Sequence, residues 1–389
     1  MSPSGVLLTG ATGFVGMQVL ARYLEHTDRR VYVLVRAQDK KAAEDRLRDK
    51  LSTLFGQSNL PDRLVAVPGD IESPGLGLVD EERERVAKEV GEIVHAAASV
   101  SFELPLDASR RINVEGTRRV LELAELVRNT GGLDNFSYIS TAYVAGTHGG
   151  EFGEDDFDLG QDFRNPYERS KFEAERLVRD HADHLPLKIF RPSIIVGEAS
   201  SGWTDSFNVL YTPLRAFARG HLPFMPARQR APVDVVPVDY VADAVFELSQ
   251  RPVEHAETYH LVAGPEATTV EEIVGLASKE LDRPVPLVVP PPLYRRLLHP
   301  LLLWRSDGRR RRALRRMETF FPYFAMRVRY GNERARHLLE PKGIRVSPFR
   351  SYFGRLIDFA KRARWGERKL PRAQALEPAP IERAGTVAG

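Results

Sequence analysis

The sequence predicts an α/β protein: a doubly wound parallel sheet with a smaller, mostly helical C-terminal part. Three observations lead there. Short apolar runs alternate with helical spacing through the first two thirds of the chain, a rhythm that joins parallel strands by helical crossovers. The first run, GVLLTG (5–10), ends in glycine and passes straight into a helix-patterned stretch. The 389 residues are 42% hydrophobic, which is enough to bury a large core.

The elements follow in order. GVLLTG reads as a buried strand, and FVGMQVLARYL (14–24) carries Val15, Val19 and Leu20 at helical spacing. RVYVLVR (30–36) is a β-branched second strand, and the charged stretch from Asp39 to Leu54 is helical. RLVAVPGD (63–70) and EIVHAAA (92–98) are the third and fourth strands, and residues 110–127 form an amphipathic helix. NFSYISTAYVAG (135–146) is the fifth strand with its exit loop. A helix from Pro166 to Arg179 follows, then LKIFRPSIIVG (187–197) as the sixth strand. VDVVPVDYVADAVFELS (233–249) reads as strand, turn and helix, with Asp239 a helix-start acid and Asp243 a solvated one. We expect the dinucleotide-binding part to take 1–197 plus about 231–265 and the substrate cap 198–230 plus about 266–369. The last residues, 370–389, read as a disordered tail.

Composition narrows the chemistry. Without cysteine there is no disulfide, no thiolate metal site and no cysteine nucleophile; this suits a reducing cytoplasm. The N-terminus lacks signal-peptide regions, and the longest apolar runs fall far short of the roughly 20 residues of a membrane helix. Net charge is +3 but unevenly spread: 24 Lys/Arg face 8 Asp/Glu from residue 291 onward, against 32 and 45 before it. A basic C-terminal part attracts anions such as coenzyme A phosphates, an acidic carrier protein or an anionic membrane surface. Nucleic acid is not expected, because no nucleic-acid module is present.

TGATGFVG (9–16) places Gly10, Gly13 and Gly16 between strand and helix. Gly10 permits the tight turn, Gly13 lets backbone approach a pyrophosphate, and Gly16 lets helix and strand pack closely. Gly10, Thr12, Gly13, Phe14, Val15 and Gly16 are thus the expected phosphate cradle of a Rossmann-like site. Arg36 ends the second strand, where an acid would bond a ribose 2′-hydroxyl; arginine suits a 2′-phosphate and hence NADPH. Asp70 and Ile71, after the third strand, are expected near the adenine, and Ala96 and Ala97, after the fourth, near the cofactor. His95 reads as packed rather than catalytic, and no metal site is expected.

Tyr167 and Lys171 lie one helical turn apart in NPYERSK. A phenol titrates near 10, and a nearby ammonium would lower that and fit the tyrosine for proton exchange with a substrate oxygen. Such a pair alone is a frequent chance match and reads as a solvated helix pair. The STAYVAG exit of the fifth strand reverses that. It puts Ser140 and Thr141 at the carboxyl edge of the sheet, where doubly wound folds bind ligands, together with the glycine loop.

TGATGFVG, NVEGT, STAYVAG, PYERSK and RPSIIVG together resemble the extended short-chain dehydrogenase/reductases over roughly the first 265 residues. The resemblance implies Thr141, Tyr167 and Lys171 as catalytic triad, Asn113 as support of a structural water, and Pro192 to Ile195 along the nicotinamide, which Lys171 also approaches. VHAAASVSFELPLDASRRINVEGT (94–117) is more closely similar to fatty acyl-CoA reductases and to the thioester reductase domains of carboxylic acid reductases. This implies reduction of an acyl thioester by NADPH to an aldehyde, in some members onward to an alcohol. The chain starts almost at the glycine loop, so the thioester is expected to arrive in trans, on coenzyme A or a carrier. The same triad also serves NADP-dependent secondary alcohol or ketone dehydrogenases of sterol or flavonol type. Arg36 disfavours a sugar-nucleotide epimerase, and the intact triad disfavours a non-catalytic NADPH sensor.

PPPLYRRLLHPLLLWRSDGRRRRALRR (290–316) is the least ordinary segment, with Leu293, Leu297 and Leu301 every four residues and seven arginines within 305–316. The leucines are expected to turn into a substrate pocket as one face of a cap helix. The arginines suit either a solvated face or a docking site for a carrier or membrane surface. Farther on, Tyr352, Leu356, Ile357, Phe359 and Ala360 mark a final amphipathic helix packed on the core.

Overall fold

Seven short strands, β1 (Gly5–Thr9), β2 (Val31–Val35), β3 (Leu64–Pro68), β4 (Val90–His95), β5 (Asn135–Ile139), β6 (Leu187–Pro192) and β7 (Glu257–Leu261), carry the architecture. They stand in the order β3-β2-β1-β4-β5-β6-β7, every neighbouring pair parallel. The computed structural model describes residues 5–56, 59–253 and 255–375. Strands buried on both faces read as continuous apolar runs, which is why VLL, VYVLV and LVAV were legible.

Helices cover both faces. On one side α1 (Phe14–His26), α2 (Lys40–Phe55) and α7 (Val238–Ser249) close over Val6, Leu8, Val31, Val33 and Val94. On the other, α3 (Asp80–Glu89), α4 (Gly116–Thr130) and α5 (Pro166–Arg179) close over Leu7, Tyr32, Ile93, Phe136 and Ile189. Winding runs outward from β1 through β2 to β3, then returns to β4 on the other side of β1. The crevice between the carboxyl ends of β1 and β4 is therefore the topological switch point, where such sheets bind ligands.

A second core, near the carboxyl edge, is built from α6 (Tyr211–Ala218), α8 (Val270–Leu281), the turn Phe321–Ala325 and α10 (Phe349–Arg362), joined by short strand pairs. Helix α9 (Gly308–Glu318) packs against α6 and that turn, with Leu314 buried. Four expectations meet a different outcome. The run 187–197 splits at Ser193: Pro192 ends β6, and Ile194–Val196 pairs with Val235–Pro237 in a separate two-stranded sheet. Proline has no N–H for the ladder, so the chain changes partner there. The edge strand β7 was not among the strands expected. Of the expected tail, Leu370 is buried and accepts the Trp203 indole N–H at 3.0 Å, and Arg372–Ala375 forms a helical turn; 376–389 lie outside the described residues. Lastly, Leu293, Leu297 and Leu301 face solvent rather than a pocket.

Candidate active site

The glycine loop is shaped by a close approach. Gly10 has φ +75°, a left-handed conformation, and a Cβ there would stand 2.5 Å from the Ala97 nitrogen. A Cβ on Gly16 would fall onto the Gly10 carbonyl. Gly13 donates its N–H to the Gly10 carbonyl at 2.9 Å and caps α1 without any side-chain cap bond. The first amides of α1 are thus left for an anion at the positive end of the helix dipole.

A cleft of about 270 Å³ opens beside this loop. Thr9, Gly10, Thr12 and Gly13 form one wall, Ala96 and Ala97 another, and Asp70 and Ile71 a third. Arg36 and Arg46 stand at its end. Arg46 was not singled out from the sequence; it donates to the Arg36 carbonyl from the first half of α2. The Arg36 side chain is 68% exposed and meets Glu72 at 3.9 Å. Asp70 Oδ1 accepts the Glu72 N–H at 2.9 Å in a local turn. The donor set, the glycine that no Cβ can replace and the paired arginines all fit a dinucleotide with its phosphates on α1. Phe14 and Val15 line none of this cleft. Phe14 packs on Trp203 at 6.0 Å and Val15 on the core, so what they offer a phosphate is backbone N–H. Pro192 and Ile195 do not line it either; the Pro192 carbonyl accepts the Thr141 hydroxyl at 3.5 Å.

Thr141, Tyr167 and Lys171 come together at the carboxyl end of β5. Thr141 caps the turn Ala142–Ala145 by accepting the Tyr143 N–H at 3.2 Å. Pro166 at the first turn of α5 and the Asn165 cap, which accepts the Glu168 N–H at 3.0 Å, start the helix beside it. Burial pushes the Tyr167 phenol up to about 12, with the neighbouring Thr141 hydroxyl pulling the other way. Lys171 donates to the Tyr138 hydroxyl and the Ile139 carbonyl, both at 2.8 Å. Burial brings its ammonium down to about 7, against the upward pull of Glu175. The expected lowering of the phenol by this ammonium is therefore not what the geometry gives. Lys171 faces Tyr138, and burial holds Tyr167 protonated, as a donor rather than a base.

Asn113 sits in a wide helical turn, Arg111–Glu115, just before α4. Such π turns are frequent at functional sites. Its amide accepts the Ser99 N–H at 2.8 Å and donates to the Ser99 carbonyl at 3.1 Å and Ser170 Oγ at 2.9 Å, tying the loop after β4 to α5. His95 is held between Thr9 Oγ1 (2.7 Å) and Thr117 Oγ1 (3.0 Å). Burial, then the Lys171 charge, lowers its imidazole to about 3, so it stays neutral as a brace. Asp239 accepts the Ala199 N–H from the start of α7, and Asp243 accepts Arg22 Nε at 2.7 Å.

Beneath the site lies a buried charge network. Arg191 Nη2 and Arg179 Nε both donate to Glu175 Oε1, at 2.6 and 2.9 Å, and Ser140 donates to Glu175 Oε2 at 2.5 Å. Arg191 also donates to His260 Nε2 at 3.1 Å, so the His260 proton is on Nδ1, facing the Gly331 carbonyl at 2.6 Å. Above the site, Phe102 stands between Tyr167 and Tyr323, 5.4 Å from each. Tyr323 donates to the buried Glu168 at 2.6 Å, locking the helical part onto the start of α5. Phe102 also lines a second, larger cleft of about 670 Å³ with Ser99, Tyr211, Arg215 and Phe320.

The profile of the family described as Male sterility protein, an NAD-binding domain, matches residues 8–245. The chain is 32% identical over 295 residues to the nonribosomal peptide synthetase asaC of Aspergillus flavus, covering 72% of this chain and 28% of that protein. It is 29% identical to the fatty acyl-CoA reductase wat of Drosophila melanogaster, covering 67% of this chain and 58% of that one. Its fold matches the terminal R domain of the myxalamid PKS-NRPS biosynthetic pathway with a TM-score of 0.79 and 27% identity, over 95% of this chain and 93% of that domain. The chain thus spans under a third of that synthetase and a little over half of that acyl-CoA reductase.

Proposed function

This chain belongs to the Male sterility protein family, as an NAD(P)-dependent oxidoreductase of the extended short-chain dehydrogenase/reductase type, and from that premise we propose that it reduces acyl thioesters with NADPH. The observation that carries the reading is the likeness to a terminal reductase domain along nearly its whole length, joined to a hydroxyl, a phenol and an ammonium gathered at one sheet edge.

In this reading, Gly10, Thr12, Gly13, Phe14, Val15 and Gly16 hold the pyrophosphate, Arg36 and Arg46 a 2′-phosphate, and Asp70 and Ile71 the adenine end. Ala96, Ala97, Lys171, Pro192 and Ile195 surround the nicotinamide riboside. The bound dinucleotide supplies a hydride to the thioester carbon. Thr141 and Tyr167 hydrogen-bond the oxygen on which negative charge builds, which is where the protein lowers the barrier most. The phenol, kept protonated by its burial, gives its proton to that oxygen. The hemithioacetal then breaks its C–S bond, releasing thiol and aldehyde; reduction of the aldehyde to alcohol needs a second dinucleotide at the same triad. Asn113 keeps α5 in register with the loop 99–103. The dinucleotide part is assigned to 1–197 plus 231–265 and the cap to 198–230 plus 266–369. The larger cleft, floored by Phe102, takes the acyl thioester, brought by coenzyme A or a carrier protein.

The test is NADPH consumption against a panel of acyl-CoAs, ketones and aldehydes with simultaneous thiol assay. One thiol released per NADPH with acyl-CoA is the expected result. Turnover with ketones and none with acyl-CoA would move the chain to the secondary alcohol dehydrogenases.

A further inference from the structure

Six of the nine large apolar side chains exposed among the described residues lie between 285 and 304. Their helical stretch, Pro291 to Trp304, contains one wide turn at Tyr294–Leu298. Its inner side is fastened. Tyr294 is buried edge-on against Phe321 at 5.2 Å, and His299 Nε2 meets Glu318 Oε1 at 2.7 Å. Arg311 donates to the Leu303 and Ser306 carbonyls, at 3.0 and 3.2 Å, from α9. Its outer side is a ridge: Leu293, Leu297 and Leu301 are 48, 58 and 49% exposed and Trp304 is 76% exposed. A spacing of four residues advances about 6 Å along a helix, so the three leucines form one line. None of the four lines either large cleft.

Exposed arginines share the ridge's segment or follow on α9. Arg295, Arg296, Arg305, Arg312 and Arg315 are exposed, and among the described residues no carboxylate pairs with any of them. Leucines standing proud beside an exposed indole, edged by unpaired guanidinium groups, match the layering of a lipid interface. Acyl boundary, headgroup level and phosphate level take those three side-chain types in turn. An acidic protein partner would match the charge, but a convex row of single leucines needs a groove to receive it, whereas lipid closes around any shape. No helix among the described residues is long and apolar enough to cross a membrane, so the contact is with the surface.

We propose that the 293–304 ridge seats this protein on anionic lipid, with Leu293, Leu297, Leu301 and Trp304 entering the interface and the exposed arginines of 295–315 meeting lipid phosphates. The full chain is mixed with phosphatidylcholine vesicles, with and without phosphatidylglycerol, and followed by flotation and tryptophan emission. Binding to the anionic vesicles is expected, with a blue shift absent from Trp304→Phe and quenching by lipids labelled near the interface. Leu297→Glu/Leu301→Glu, both at exposed positions, should lower partitioning by about ten-fold or more, and Arg312→Glu/Arg315→Glu should weaken it in a salt-sensitive way. Wild-type protein that stays unbound in every vesicle arm overturns the proposal. So does a ridge that only pairs two copies of the chain, seen as a dimer split by the double glutamate variant, or that only binds an acidic carrier protein.

Discussion

Lys171 gives its ammonium to the Tyr138 hydroxyl at 2.8 Å, across to the neighbouring strand, and not to Tyr167 one turn back on its own helix. The two candidate catalytic groups of α5 therefore have different partners: Tyr167 the Thr141 side chain, Lys171 the strand β5. This separation makes their contributions distinguishable.

Tyr167→Phe should lower kcat by about 10²–10⁴-fold, the usual worth of a positioned proton donor, while NADPH affinity, measured by fluorescence titration, stays within a few-fold. Thr141→Val should lower kcat by about 10²-fold as one oxyanion donor is lost. A Tyr167→Phe enzyme with wild-type turnover would remove the phenol from the mechanism.

Arg36→Ala should weaken NADPH by about ten-fold with little change for NADH, because a charge-assisted contact to phosphate is worth about 1.5–3 kcal/mol and this side chain is largely in water. Arg46→Ala should act in the same direction. Both effects should shrink with added salt, as isothermal titration at two ionic strengths would show. Equal losses for the two dinucleotides would refute a 2′-phosphate contact.

Burial takes Lys171 from its ordinary 10.5 down to about 7. The folded protein then releases this proton near neutrality, while the unfolded chain keeps it to about 10.5. More protons are bound in the unfolded state across that window, so this group makes folding more favourable as pH rises from about 7 to 10.5. Activity should move the other way if the charged form serves the reaction: kcat is expected to fall as pH rises through about 7. Lys171→Met should stabilise the fold most at low pH, where it removes a buried charge, while abolishing turnover. Parallel melting and rate profiles would check both signs.

Glu175 and Arg191 are wholly buried together. Burial pushes the Glu175 carboxyl up, but Arg191 and Arg179 more than offset it and hold it down at about 2. Its contribution to stability is present above the ordinary carboxylate value of 4.5 and is lost as pH falls toward 2. Glu175→Gln should destabilise by about 3–5 kcal/mol, since it leaves a guanidinium buried without its charge partner. Urea unfolding at neutral pH and near pH 3 measures both effects.

The winding of the sheet and the glycine loop were readable because apolar runs and glycines obey local rules. What escaped was long-range. β7, ETYHL, carries Thr258 and His260 inward because Arg179 and Arg191 receive them, and no window around 257 reveals that. Arg191 and Glu175 look like surface residues until their partners arrive from other elements. Phe102, Tyr323 and Arg46 reach the site from positions with no pattern of their own. The leucines at 293, 297 and 301 show the opposite limit. A four-residue spacing says that three side chains share a face, and says nothing of which way that face points. The proposed residue-by-residue roles rest on motif resemblance, and geometry added the partners that set their protonation.

The placement of residues 359–375 has a practical consequence. Phe359, Ala363, Leu370 and Ala375 share one apolar cluster with Met17 and Ala21 of α1, Leu54 of α2 and Trp203, so the last described residues help close the core behind the helix that follows the glycine loop. The two halves of the molecule are not interchangeable modules. A chimaera that borrows a relative's cap must also inherit a matching end segment, or it uncovers apolar surface directly behind its own nucleotide cradle.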